Sequence, residues 1–280
     1  MSSLSPDQIA TPTVQGAALY LVGVAAPGTL RSFTHPGLED GQVTTVRPIV
    51  AFDAITIELP AEVFTGDDAE SRLRDIAWLT PRAERHEGIL RAARARTTVF
   101  PVGFGSVFST GSTLAESLTA HSGIIGDFFG RAGDCDEWSL KVSGSRKDLL
   151  ERARRRFAAN SGETRGVAYL RARQLDEAAD ALARDSALDL AESLIDSLGP
   201  HIEDAAERRA IDTAEDRDDW TIAHVALLIQ RDNQNRFDAA LDSLAPGVES
   251  EGLRIELSGP WAPYSFAAPI DATDDDHTPC

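Results

Sequence analysis

Residues His201 to Ala214, HIEDAAERRAIDTA, decide how the second half of the chain is drawn, because they read either as one more helix or as a strand. The segments around them are clearer. Trp220 to Gln230 (WTIAHVALLIQ) is a run of apolar and β-branched residues and predicts a strand, and Asn235 to Leu244 has the apolar spacing of an amphipathic helix. Leu253 to Leu257 alternates Leu, Ile and Leu with charged residues, as a half-exposed strand does. Upstream, Glu137 to Ser143 (EWSLKVS) alternates in the same way. Lys147 to Ala159 and Leu170 to Leu198 carry helical period and composition, broken around Asn160 to Gly166. If 201–214 supplies a strand, the order is β, long helical insert, β, β, α, β. That order predicts a modified ferredoxin-like βαββαβ domain with an enlarged first crossover.

The first half reads as α+β. Ala17 to Ala26 (AALYLVGVAA) is a continuous apolar run between a glycine and a proline, the pattern of a short buried strand. Thr29 to Gly41 reads as a loop, and Val43 to Val50 and Ala54 to Leu59 as two more strands. Between Asp67 and Ala95 the spacing turns helical, with Leu73, Ile76, Ala77, Ile89, Leu90 and Ala93 as the apolar stripe; Thr80 is placed as an N-cap with Pro81 in the first turn of a second helix. A strand at Thr97 to Val102 and a helix from Ser112 to Phe129 complete a small sheet with helices on one side. The expected organisation is a flexible 1–16, an α+β domain at 17–132, the second domain at 133–258, and an arm with an acidic, disordered tail at 259–280.

Composition narrows the function classes. The 280 residues are 42% hydrophobic and 26% charged, with no apolar run of membrane-spanning length. The start lacks the basic and apolar regions of a secretory signal, so a cytoplasmic protein is expected. Cys135 and Cys280 form neither a disulfide framework nor a metal cluster and read as reduced bystanders. A formal charge of −18 argues against a nucleic-acid surface. The basic run Arg146, Lys147, Arg152, Arg154, Arg155 and Arg156 is interleaved with Asp148 and Glu151 and reads as a solvated helix face.

Catalytic patterns are incomplete. Thr97 to Ser112 (TTVFPVGFGSVFSTGS) runs from a strand into a glycine-rich turn, the setting of a dinucleotide loop, but Phe108 stands where the third glycine belongs and no Walker lysine follows. Phe104 and Phe108 occupy places where phosphates need bare backbone. Ser106, Ser109 and Ser112 lack a nucleophile elbow. The six histidines have no metal-ligand spacing, and His224 in an apolar strand reads as a satisfied core residue. His86 and Glu87 offer a general base on a helix, but ordinary helix-surface chemistry explains them equally. Asp134, Asp136 and Glu137 beside Cys135 read as a solvated turn. No catalytic, cofactor or metal residue is assigned.

Three segments carry a resemblance: TTVFPVGFGSVF (Thr97 to Phe108), DEWSLKVSG (Asp136 to Gly144) and LSGPWAPYSF (Leu257 to Phe266), with LYLVGV and RHEGIL (Arg85 to Leu90) in support. In order and spacing along nearly the whole chain they resemble the gas vesicle F/L protein family. Ala262 departs from the pattern where the family usually carries another proline. The resemblance implies a non-enzymatic, two-domain α+β protein with a modified ferredoxin-like second domain, needed for vesicle assembly as a minor component or assembly factor. Its implied partners are the main small apolar shell protein, contacted at the gas-facing side, and other accessory proteins. No nucleic acid, lipid membrane or cofactor is implied, and the setting is the vesicle and the cytoplasm. The alternative is a small-molecule or nucleotide-binding module using the Gly103 to Gly105 loop.

The structural or interaction candidates are Pro101, Phe104, Gly105, Phe108, Trp138, Gly259, Pro260, Trp261, Pro263, Tyr264 and Phe266. Proline fixes φ and removes a donor, so LSGPWAPYSF is expected to leave the last strand as a stiff arm. The arm then folds back to bury Trp261, Tyr264 and Phe266 internally.

Overall fold

The computed structural model describes residues 16–65, 68–160, 165–208 and 219–270, without the side chains of 157–160 and 165–179. The chain forms two compact units, Met1–Gly133 with Ala262–Cys280, and Asp134–Trp261. The second unit is thus inserted in sequence between two parts of the first. The fold is mixed α/β with two antiparallel sheets.

The first sheet is built on β1 (Ala17–Ala25), whose unbroken apolar run suits a strand buried on both faces. β3 (Val43–Ile49) and β4 (Phe52–Pro60) form a hairpin, β2 (His35–Pro36) adds a short edge within the expected loop, and β5 (Val99–Pro101) and β6 (Val107–Phe108) both pair with β1, giving the order β2-β3-β4-β1-β5. Between Leu21 and Gly23 the register with β4 shifts, so Val22 is the extra residue of a β-bulge.

α1 (Ala69–Arg74) and α2 (Ile76–Arg94) follow β4, and α3 (Gly111–Ala120) and α4 (Ser122–Ala132) follow β6. Helices cover both faces of this sheet, not one. Val99 packs in the cluster that includes Ile89 and Leu90 of α2, whereas its neighbour Phe100, on the opposite face, meets Phe128 of α4 at 4.9 Å between centroids. The expected helix Ser112 to Phe129 is two helices breaking at His121, the first closed by a capping box between Thr110 and Thr113. The N-cap of α2 is Asp75, whose Oδ1 accepts from the Ala77 amide at 3.0 Å; Thr80 lies inside the helix, and so does Pro81. Ile76, assigned to the apolar stripe, is 76% exposed because the cap places it at the solvent-facing start of α2.

In the second unit β7 (Cys135–Ser145), α5 (Arg146–Asn160), α6 (Arg165–Leu198), β8 (Asp204–Glu207), β9 (Asp219–Gln230), α7 (Gln234–Ser250) and β10 (Leu253–Trp261) follow in order, and the sheet order is β10-β7-β9-β8. The ambiguous segment therefore contributes a strand at Asp204–Glu207, and the remainder of it, from 209 on, lies outside the described residues. Leu140, Val142, Leu227 and Ile229 from the sheet pack with Ala187, Ala191 and Leu194 of α6 and Phe237 of α7. Alternation along β7 and β9 puts this apolar set on one face, and Glu137 and Ser139 on the other.

The last strand does not end before its first proline. β10 runs through Pro260 to Trp261 at the edge of the sheet, where a missing donor costs no ladder bond, and its register slips between Ser258 and Trp261. Trp261, expected to be buried, is 38% exposed. The acidic stretch from Asp271 lies outside the described residues, as do 1–15 and Cys280.

The turn of the β3–β4 hairpin carries a strained residue. Val50 sits at φ 56 and is 62% exposed, a conformation that a β-branched side chain disfavours and no buried contact requires. Val50→Gly is expected to raise the unfolding free energy by about 1 kcal/mol in a denaturant titration, the relief of strain exceeding the added entropy of the unfolded glycine.

Candidate functional site: a histidine-centred cluster

His86 lies on α2 within the RHEGIL segment and is 2% exposed, so the helix-surface reading of this residue is corrected: β1 and the C-terminal segment cover it with polar partners. Tyr20 Oη stands 2.8 Å from its Nδ1, while its Nε2 lies 3.1 Å from the Val102 carbonyl and 3.1 Å from Tyr264 Oη. The carbonyl can only accept, so Nε2 carries the proton and Nδ1 accepts from the Tyr20 hydroxyl. Tyr20 Oη in turn accepts from the Gly105 amide at 3.3 Å, and the Tyr264 hydroxyl donates to Glu87 Oε2 at 3.3 Å. A continuous chain of donors and acceptors links β1, α2, the 102–105 loop and the segment after β10.

Aromatic rings enclose the chain. Phe104 meets Tyr20, Phe64 and His86 edge-on at centroid distances of 6.0, 5.5 and 5.8 Å, and Tyr264 stacks on His86 at 6.5 Å. Phe64 continues to Trp78 at 5.6 Å, over which the Arg82 guanidinium lies at 4.2 Å. Gly105 turns the loop at φ +95, which lets its amide reach Tyr20.

The surroundings set the protonation states. Burial lowers the His86 pKa to about 4, opposed by its bond to Val102, and burial raises those of Tyr20 and Tyr264. Glu87 is also raised by burial, against the Tyr264 hydroxyl, Arg91, Arg94 and the Ala262 amide, which favour its charge. His86 is therefore neutral at physiological pH, with both ring nitrogens engaged.

This cluster links stability to pH. Unfolded, His86 titrates near 6.5, and folded near 4. The unfolded chain binds the extra proton between these values, so the contribution is complete above pH 6.5 and is lost as pH falls toward 4. The loss amounts to about 3 kcal/mol. Chemical denaturation from pH 7.5 to 4 should show the first unit weakening over that window more steeply in the wild type than in His86→Gln.

The candidate residues separate into groups. Phe104, Gly105 and Tyr264 come together at His86. Pro101 and Phe108 are buried strand residues opposite Gly23 and Leu19 of β1. Pro263 and Phe266 are buried in the first unit, where the Phe266 carbonyl accepts from Arg131 at 3.3 Å. Trp138, Gly259 and Pro260 belong to the second unit: a Cβ on Gly259 would stand 3.0 Å from the Trp138 ring and from the Glu137 carbonyl, so the DEW and GPW segments pack backbone against indole. Tyr20 and Phe64 are not among the sequence candidates, and His86 and Glu87 enter there only as a general base that helix-surface chemistry explains equally. The signal for His86 and Glu87 was present in RHEGIL, and the signal for Tyr20 in LYLVGV.

The other sequence candidates are tied into local structure. Glu137 is paired with Arg208 at 2.7 Å, Asp136 with Arg231 at 3.2 Å, and the His224 ring with Ser139 Oγ at 2.9 Å. Burial, with Glu203 and Asp134 adding to it, pushes the Cys135 thiol up to about 11. Among the described residues no group of His, Cys, Asp and Glu is placed to hold a metal, and no helix is long and apolar enough to cross a membrane.

Fold and cluster together define a two-sheet α/β protein in which the LYLVGV, RHEGIL and APYSF segments meet at His86. The chain belongs to the gas vesicle synthesis protein GvpL/GvpF family, whose pattern matches residues 18–268. It is 26% identical over 219 residues to gas vesicle protein L of a Streptomyces species, covering 76% of this chain and 79% of that one. It is 26% identical over 278 residues to gas vesicle protein L1 of Halobacterium salinarum, covering 91% of each. Its fold is similar to the crystal structure of GvpF from Anabaena sp. PCC7120, with a TM-score of 0.65 at 23% identity over 90% of this chain and 96% of that one. GvpF from Microcystis aeruginosa gives 0.61 at 19% identity, covering 90% and 99%.

Proposed function

We propose that the protein is a non-enzymatic assembly factor or minor component of the gas vesicle that contacts the main small apolar shell protein and other vesicle accessory proteins. The observation that carries this reading is the family match across residues 18–268. The His86 cluster supports a packing role for its polar groups, because its hydroxyls, carboxylate and ring nitrogens bind one another and hold segments in place. The setting on this reading is the vesicle and the surrounding cytoplasm, with the eleven candidates from Pro101 to Phe266 serving structure or contact. We read the second unit as a modified ferredoxin-like βαββαβ domain with α5 and α6 as its enlarged first crossover. Its strand order β10-β7-β9-β8 supports that reading.

The Gly103 to Gly105 loop is less suited to a nucleotide, since the Gly105 amide already serves Tyr20 and Phe104 fills the space beside it. Deleting the gene should abolish or malform vesicles, and the purified chain should retain the shell protein in a pull-down. Normal vesicles in the deletion strain together with no association would overturn the proposal. A thermal shift on adding a nucleotide, about 2.7 kcal/mol at a hundredfold excess over the dissociation constant, would favour the binding-module reading instead.

A further inference from the structure

Exposed sheet edges invite pairing with another chain, and most edges here are short or interrupted. β2 has 2 residues and ends at Pro36, β3 carries Pro48, and β5 has 3 residues and ends at Pro101. β8 is 4 residues long with an acid at each end. β10 differs: it is a 9-residue edge strand, LRIELSGPW, with no proline before Pro260.

Its side chains fit a copy of itself. Arg254, Glu256 and Ser258 are exposed on one face, and Leu253, Ile255 and Leu257 border the apolar core on the other. Outward backbone groups recur at every second residue, so a symmetric antiparallel pair must be centred on a residue, not between two. Centring on Arg254 or on Glu256 sets like charges opposite each other. Centring on Ile255 sets Arg254 opposite Glu256 twice, Leu253 opposite Leu257 twice, and Ile255 opposite itself.

We propose that β10 is the pairing edge of a symmetric dimer, in which two copies of this chain join antiparallel with Ile255 on the two-fold axis. The two sheets then run on as one. Arg254, which pairs with Asp219 within its own chain, is shared with Glu256 of the second copy. The charge of −18 on each copy opposes association, so added salt strengthens the dimer until the local pairs are screened as well. A single strand pair is a small interface, and the dimer is correspondingly weak.

Sedimentation equilibrium of the full chain over a range of concentrations tests this. The wild type should dimerise reversibly, and Glu256→Arg, which opposes two arginines at each of two positions, should weaken the dimer about tenfold or more. Arg254→Glu combined with Glu256→Arg recreates the complementary pattern and should restore it. Circular dichroism melts of both variants establish that the monomer is folded; if Glu256→Arg alone fails to fold, the double variant against wild type still decides. A monomer at every concentration, a dimer indifferent to Glu256→Arg, or a loss the double change does not restore would each overturn the proposal.

Discussion

Deleting residues 262–280 is expected to unfold the first unit while leaving the second unit's sheet intact. The segment after Trp261 supplies Ala262, Phe266 and Ile270 as buried apolar residues, and Tyr264 as the hydroxyl bound to His86 and Glu87. Losing a buried phenylalanine alone costs about 3–5 kcal/mol, and the loss of Ala262, Ile270 and the Tyr264 hydroxyl that donates to Glu87 raises the total above about 5 kcal/mol. That is comparable to the whole stability of a typical domain. Hydrogen exchange should show the amides of β1, β4 and α2 losing protection, and those of β7 and β9 keeping it. Deleting 271–280 alone serves as the control. A truncated chain with native protection in β1 would refute this account, and shell binding lost without any change in protection would make the segment the contact itself.

Gly23→Val is expected to be damaging as a single substitution, though less so than the truncation. A Cβ at this position would stand 2.9 Å from the Phe100 carbonyl oxygen, 2.9 Å from Leu90 Cδ2 and 2.9 Å from Val99 Cγ1, at the bulge where β1, β5 and α2 meet. The carbonyl belongs to a paired strand and has no room to retreat, so the valine must force β5 off β1. The cost is about 3 kcal/mol, with Gly23→Ala somewhat less. Urea titration measures it directly, and a midpoint unchanged by Gly23→Val would contradict the close approach.

The sequence was most readable where burial is dictated locally. β1 follows from an unbroken apolar run, β9 from WTIAHVALLIQ, and β10 from the alternation of Leu253, Ile255 and Leu257. His86 is the contrasting case. It stands between Arg85 and Glu87 on a helix of mixed polarity, and its burial depends on Tyr20 and Tyr264, 66 and 178 residues away. No window of neighbouring residues contains that information. Helices on both faces of the first sheet go beyond the one-sided expectation, although the unbroken apolar run of β1 already carries the signal of two buried faces. The choice of Asp75 over Thr80 as a cap turned on Pro81, which α2 accommodates in its interior. Of the candidate residues, Trp138 and Gly259 proved to touch each other, a relation that register alone creates.

Because the first unit is closed by residues that follow the whole of the second, the ribosome releases the parts in an awkward order. β1 to α4 are synthesised first, yet Tyr20, His86 and Phe104 wait for Tyr264 until 128 residues of the inserted unit, Asp134–Trp261, have been made. At about 5–20 residues per second that is an interval of about 6–26 s. Over that time an incomplete apolar surface is presented to the cell, and the nascent chain is at its most vulnerable to aggregation and to chaperone capture. Completion of the first unit therefore reports that the whole of the second has been translated.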